Sequence, residues 1–167
     1  MPIDFNFRSI EPRNLDVATH FIESQDLGYR YYERWVEKMR GELSSGTKHG
    51  ILAYSNGIVV GDVIFQKHKE INGFLEMKNI RVHPKLRGRN FASFMLKQAE
   101  LEMPSESVIV DARVNQRDMI NFLTSQGYIP VRQISLYDSH NQDVIMVKLK
   151  DEKLRDRIIS AISSSYN

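Results

Sequence analysis

The stretch RVHPKLRGRNFASFMLKQAE, residues 81–100, passes from the end of an apolar strand pattern through a basic loop into an amphipathic helix. In an open sheet, strand, loop and helix N-terminus form the junction where unpaired backbone N–H groups meet an anion. Here Arg87, Gly88, Arg89, Asn90, Phe91 and Ala92 supply two guanidinium groups, a glycine, and an asparagine tolerant of positive φ. Such a loop can wrap a pyrophosphate. A basic surface loop whose glycine serves only the turn is the plainer use of the same residues. Ala92, Met95, Leu96, Ala99 and Met103 then recur at helical spacing, with Pro104 just beyond them.

Before this junction, the alternation of Phe5 and Phe7 predicts an edge strand, and Asn14 is placed to cap a helix over Leu15–Ile22. A second helical pattern covers GYRYYERWVEKMRGEL, from Gly28. Three strands follow as a meander, turned at Asn56-Gly57 and at Ile71-Asn72-Gly73. After the junction come the strand SVIVDARV, a helix over NQRDMINFLTSQG capped by Asn115 and stopped at Gly127, and two strands around SHNQ. Leu154, Ile158, Ile159 and Ile162 mark a last amphipathic helix, its apolar residues serving internal packing or a dimer. The order predicts an α/β chain with a mixed sheet flanked by helices. The helix of the opening stretch is its crossover between parallel neighbours.

The 167 residues suit one domain over 1–167, with a core about 4–149 and a C-terminal helix about 150–165. No stretch approaches the ~18 uninterrupted apolar residues that a membrane helix needs, and the N-terminus does not read as a secretory signal. Zero cysteines exclude a disulfide framework and a thiolate nucleophile, and permit a cytoplasmic location. With 23 basic against 21 acidic residues, the charge argues against general nucleic-acid binding and leaves room for a local anion site. His20, His49, His68, His83 and His140 show no zinc-ligand spacing, so no metal is expected.

The basic loop, the preceding NIRVHPKLRG and the later NQRDMINFLTSQGY resemble the GNAT superfamily of acyl-CoA-dependent N-acyltransferases, over about residues 4 to 149. The family's loop signature falls on Arg87, Asn90 and Ala92, and its later segment on Asn115, Phe122, Leu123, Gly127 and Tyr128. The resemblance implies a sheet splayed at an acetyl-CoA site between the strands bearing Glu76–Val82 and Val108–Arg113. It implies that the main chain around Ile80, Arg81 and Val82 pairs with the pantetheine arm. Arg87, Gly88, Arg89, Asn90, Phe91 and Ala92 would take the pyrophosphate, and Asn115 would face the pantetheine. Two positions depart from the pattern. Asn90 replaces the second glycine, and asparagine enters the left-handed region readily enough to keep the loop's shape. Leu123 replaces the tyrosine that serves relatives as general acid, and leucine has no proton to give.

The implied activity is N-acetyl transfer from acetyl-CoA to a primary amine by direct attack. A protonated amine must first lose a proton, and Glu76 matches the position where some members carry a catalytic glutamate. Its plainer role is an ion pair with Lys67, Lys69 or Lys78. Tyr128 or Tyr137 offers a substitute acid. The acceptor, a small amine or a protein, should meet the first two helices, where Tyr29, Tyr31, Tyr32 and Trp35 interleave with Arg30, Glu33, Arg34 and Glu37; a core helix with one aromatic and one solvated charged face is the plainer use of the same residues. The missing phenol motivates the alternative, a non-catalytic acyl-CoA-binding module. The chain would work as a monomer or homodimer.

Overall fold

The computed structural model describes residues 4–26, 28–103 and 107–166, apart from the side chain of residue 154. Pro104 and the Leu154 side chain, both singled out in the sequence, lie outside them. The elements run β1 (Phe5–Ser9), α1 (Leu15–Ser24), α2 (Tyr32–Ser44), β2 (His49–Ser55), β3 (Ile58–Lys67), β4 (Phe74–Val82), α3 (Phe91–Glu102), β5 (Ser107–Arg113), α4 (Arg117–Ser125), β6 (Ile129–Ile134), β7 (Asp143–Lys148) and α5 (Arg155–Ser165). The strands form one open mixed sheet in the order β1-β2-β3-β4-β5-β7-β6. β4 and β5 run parallel, as a crossover through α3 requires, whereas β1–β2, β2–β3, β5–β7 and β6–β7 are antiparallel. The β4–β5 ladder pairs Phe74 with Ser107 through Met77 with Val110, and both strands run on past its last pair.

The chain gathers into two compact units, Met1–Gln66 with Lys78–Pro104, and Lys67–Met77 with Ser105–Asn167. In the first, α1 and α2 bury Ala18, Phe21, Ile22, Tyr32, Val36 and Met39 against Leu52, Tyr54, Val59 and Ile64 of the sheet. The predicted hairpin is present, with Asn56 and Gly57 at φ 51° and 78°, the pair of positive angles a two-residue loop between twisted strands needs. Gly61 is required for space. A Cβ there would lie 2.8 Å from the Arg81 carbonyl oxygen and 2.4 Å from Met95 Sδ.

In the second unit, Ile158 and Ile162 of α5 close a core over Ile71, Phe74, Ile109, Ile145 and Val147. The last helix therefore packs within its own chain. Gly127, at φ 93°, ends α4 as expected. Its N–H bonds the Thr124 carbonyl at 3.1 Å and the Tyr128 N–H bonds the Leu123 carbonyl at 3.0 Å, the paired bonds of a Schellman cap.

Three local expectations are corrected. Asn14 precedes α1 but turns its side chain backwards, accepting from Glu11 N–H at 2.7 Å and donating to the Ser9 carbonyl at 2.9 Å, so it locks the entry turn without capping the helix. α2 starts at Tyr32 because Gly28 and Tyr31 are left-handed, at φ 76° and 62°, which breaks the helical run. Asn115 does not cap α4. Gln116 N–H bonds the Arg113 carbonyl at 2.9 Å, closing a turn that puts Gln116 at the cap and leaves Asn115 exposed on the turn.

Candidate functional site

The loop from Arg87 to Ala92 is built by two left-handed residues. Gly88 lies at φ 75° and Asn90 at φ 61°, so asparagine holds the conformation expected of it. Asn90 is the N-cap of α3, and its carbonyl accepts from Phe94 N–H at 3.2 Å to close the first helical turn. Phe91 anchors the loop from below, edge-on to Phe5 at 4.7 Å between ring centroids. Arg87 reaches back, its Nε donating to the Val82 carbonyl at 3.2 Å, and His83 Nδ1 accepts from Lys85 N–H at 3.3 Å. Residues 87–90 are exposed.

Electrostatics favour an anion there. α1, α2, α4 and α5 each carry a carboxylate in the first turn, Asp16, Glu33, Asp118 and Asp156, whereas α3 carries none. The positive end of α3 is thus left without an acidic residue of its own and is flanked by Arg87 and Arg89. These residues fit a pyrophosphate.

Arg81 is placed differently from a side chain that meets the cofactor. Its Nη1 donates to the carbonyls of Ile22 at 3.3 Å and Gln25 at 3.0 Å and to the Tyr32 hydroxyl, and its guanidinium lies over the Tyr32 and Trp35 rings. The side chain clamps the end of α1 and the start of α2. Neighbouring Asp62 is fully buried. Its Oδ2 accepts from Asn79 Nδ2, while Oδ1 has no partner among the described residues. Burial pushes its carboxyl up to about 7, outweighing the opposing charge of Arg81 and the Asn79 bond. Burial also raises the Tyr32 phenol, despite Arg81 beside it.

Glu76 belongs to the second unit, where its side chain is 13% exposed and its Oε1 lies 3.4 Å from His68 Nε2. A histidine, which sequence reasoning does not pair with it, is thus one of its partners. That imidazole also lies 3.1 Å from the Tyr166 hydroxyl and edge-on to the Tyr166 ring. Burial and the negative charge of Glu76 raise the Tyr166 phenol. On β5, Asp111 accepts from the Tyr137 hydroxyl, 3.1 and 3.0 Å from its two oxygens.

Leu123, in the tyrosine position, is fully buried, and Tyr128 is buried with the Lys148 ammonium 5.8 Å from its ring centre. Ile80 is half-buried and Val82 buried. Between α1 and α2 an open pocket is lined by Asp16, His20, Glu23, Glu37 and Arg40, so Glu37 faces it while Tyr32 and Trp35 serve Arg81 instead.

Sequence reasoning passed over Asp62 and Tyr166. A lone carboxylate inside IVVGDVIF signals a buried charge, and residue 166 continues the stripe of 158 and 162 at helical spacing.

The model of the acetyltransferase (GNAT) family matches residues 11–128. No curated protein matches the chain. Among solved structures, a GNAT-family protein from Desulfovibrio desulfuricans is 11% identical at TM-score 0.75, over 89% of this chain and 100% of that one. The ribosomal-protein-S18-alanine N-acetyltransferase from Escherichia coli is 19% identical at TM-score 0.71, over 90% and 99%. Arabidopsis thaliana Naa50, in complex with the bisubstrate analogue CoA-Ac-MVNAL, is 17% identical at TM-score 0.68, over 87% and 98%. At these identities the structures speak to the fold, and the family match, over more than half of the chain, speaks to kinship. On that match, the chain belongs to the GNAT acetyltransferase family.

Proposed function

We propose that the protein transfers an acetyl group from acetyl-CoA to a primary amine. The observation that carries this reading is the loop of Arg87 to Ala92. Left-handed Gly88 and Asn90 turn it onto a helix N-terminus that has no acidic residue in its first turn. Arg87, Arg89 and the N-terminal N–H groups of α3 hold the pyrophosphate, the main chain at Ile80, Arg81 and Val82 pairs with the pantetheine, and the exposed Asn115 contributes a polar contact to it. Acetyl-CoA supplies the activated acyl group as a thioester. Glu76 takes the proton from the acceptor ammonium, directly or through water.

Leu123 offers no acid, so the thiol departs as thiolate. With a reference pKa of about 8.5 it is a tolerable leaving group near neutral pH, and lack of an acid lowers the rate by about 10² to 10⁴ without changing the reaction. Buried Tyr128 is the weaker substitute, since its ring serves packing. The acceptor named for one fold neighbour, the alanine of ribosomal protein S18, sets a protein amine as the acceptor class to try first, with small amines beside it. The protein is expected to act in the cytoplasm.

The buried leucine at position 123 also favours a second reading, an acyl-CoA-binding module without turnover. Incubation with acetyl-labelled acetyl-CoA and host lysate, with and without its small-molecule fraction, separates the two. Label arriving in a protein or a small amine supports transfer and names the acceptor class. Acetyl-CoA binding in calorimetry with no protein-dependent label refutes transfer in favour of the binding module.

A further inference from the structure

His68 ends β3's run into a tight turn, and its ring is held at both nitrogens. Nδ1 accepts from the backbone N–H groups of Glu70 at 3.1 Å and Ile71 at 3.0 Å. A nitrogen that accepts two N–H groups cannot itself carry a proton, so the ring proton of the neutral imidazole sits on Nε2. That N–H faces the Tyr166 hydroxyl oxygen at 3.1 Å and Glu76 Oε1 at 3.4 Å. The imidazole is 5% exposed, and the Tyr166 ring meets it edge-on at 5.9 Å and 71°. Tyr166 follows α5 by its N–H bond to the Ile162 carbonyl at 3.1 Å, and Ile162 is fully buried in the core that fixes the helix. The path from the core thus ends in a 3.4 Å approach of Nε2 to Glu76 Oε1, the same N–H lying 3.1 Å from the Tyr166 hydroxyl.

We infer that His68 is a positioning residue for Glu76: its backbone-locked Nε2–H holds one carboxylate oxygen in place, and Tyr166, directly after a helix outside the family-matched segment, holds the imidazole. The inference rests on the proposed role of Glu76 as base. A carboxylate on a mobile side chain samples many directions, whereas a contact at Oε1 narrows them. A base displaced by about 1 Å loses on the order of 10²-fold in rate.

The two imidazole nitrogens can be tested apart. In His68→Asn the amide oxygen takes the place of Nδ1 and keeps the turn, while the shorter side chain ends short of Glu76. In His68→Gln the amide N–H reaches as far as Nε2, and the acceptor for the turn is lost. Turnover is measured on the acceptor found by labelling, with KM for acetyl-CoA and thermal melting alongside. Positioning predicts that His68→Asn melts near the wild type yet loses roughly 10- to 100-fold in kcat with KM for acetyl-CoA kept. His68→Gln melts lower and keeps most of kcat, and Tyr166→Phe loses about three- to tenfold in kcat. The opposite order, with His68→Asn active and His68→Gln impaired, shows that the ring serves only the turn and overturns the inference while leaving the acetyltransferase reading intact. Full activity in Glu76→Gln removes the base and the positioning role together, as does a wild-type protein that acetylates nothing. Nitrogen NMR of the histidine rings supplies a readout free of turnover. His68 should show the Nε2–H tautomer, with a resonance that moves in Glu76→Gln and Tyr166→Phe, and an Nδ1–H tautomer refutes the arrangement.

Discussion

Asp62→Asn tests the buried carboxylate under Arg81 by its effect on stability as pH changes. Asp62 is fully buried, and burial lifts its carboxyl from 3.8 to about 7. The folded-state value lies above the unfolded one, so the folded protein retains a proton that the unfolded chain has released. The group's stabilising contribution is complete below about pH 4, is lost as pH rises through about 7, and stays lost above. A difference of roughly three units, at about 1.4 kcal/mol each, amounts to about 4 kcal/mol across that window. An asparagine cannot titrate, and its amide oxygen can still accept from Asn79. About 1 kcal/mol of this is already lost at pH 4.5, so the variant should gain on the wild type by about 3 kcal/mol between pH 4.5 and 8, whatever constant offset the lost attraction to Arg81 adds. Trp35, the single tryptophan, stacks on Tyr32 beside Arg81 and reports unfolding of this region. Urea melts followed by its fluorescence at pH 4.5, 6 and 8 give the two stability curves. Parallel curves would refute the reasoning, because they would mean that Asp62 has the same proton affinity folded and unfolded.

Other substitutions probe the loop and the packing. Asn90→Val places a β-branched residue at φ 61° and should weaken acetyl-CoA binding about tenfold by calorimetry, whereas Asn90→Gly should bind as the wild type does. Gly61→Ala presses a Cβ to 2.8 Å from the Arg81 carbonyl oxygen, which side-chain rotation cannot relieve, and should cost about 1–3 kcal/mol in urea unfolding. Ile162→Ala, at a fully buried position, should cost about 2–5 kcal/mol by the same measurement.

The elements were legible wherever one local rule governed them. Asn56-Gly57 marked a hairpin, Gly127 a helix end, and the stripe of Met95, Leu96 and Ala99 a buried helix face, because each signal depends on backbone conformation or periodicity within a few residues. The loop at Arg87 to Ala92 was legible for the same reason. What escaped depends on partners far away in sequence. The turn that displaces Asn115 from the cap is a choice between two short hydrogen-bond patterns, and sequence alone does not rank them. That Arg81 turns to the end of α1 is a contact with residues more than fifty positions earlier. The pairing of Glu76 with His68 was hidden because three lysines offered equally reasonable partners, and the imidazole's orientation depends on the N–H groups of Glu70 and Ile71.

The second unit is discontinuous, taking Lys67–Met77 from the middle of the chain and the rest from its end. During synthesis, Ile71 and Phe74 leave the ribosome long before Ile158 and Ile162, the residues that cover them. Their apolar surface has to wait for about 80 further residues, a delay of several seconds at about 5–20 residues per second. A message truncated ahead of α5 would therefore yield an aggregation-prone product rather than a shorter enzyme, and a chaperone that shields the first half of β4 would act at the most vulnerable point of its birth.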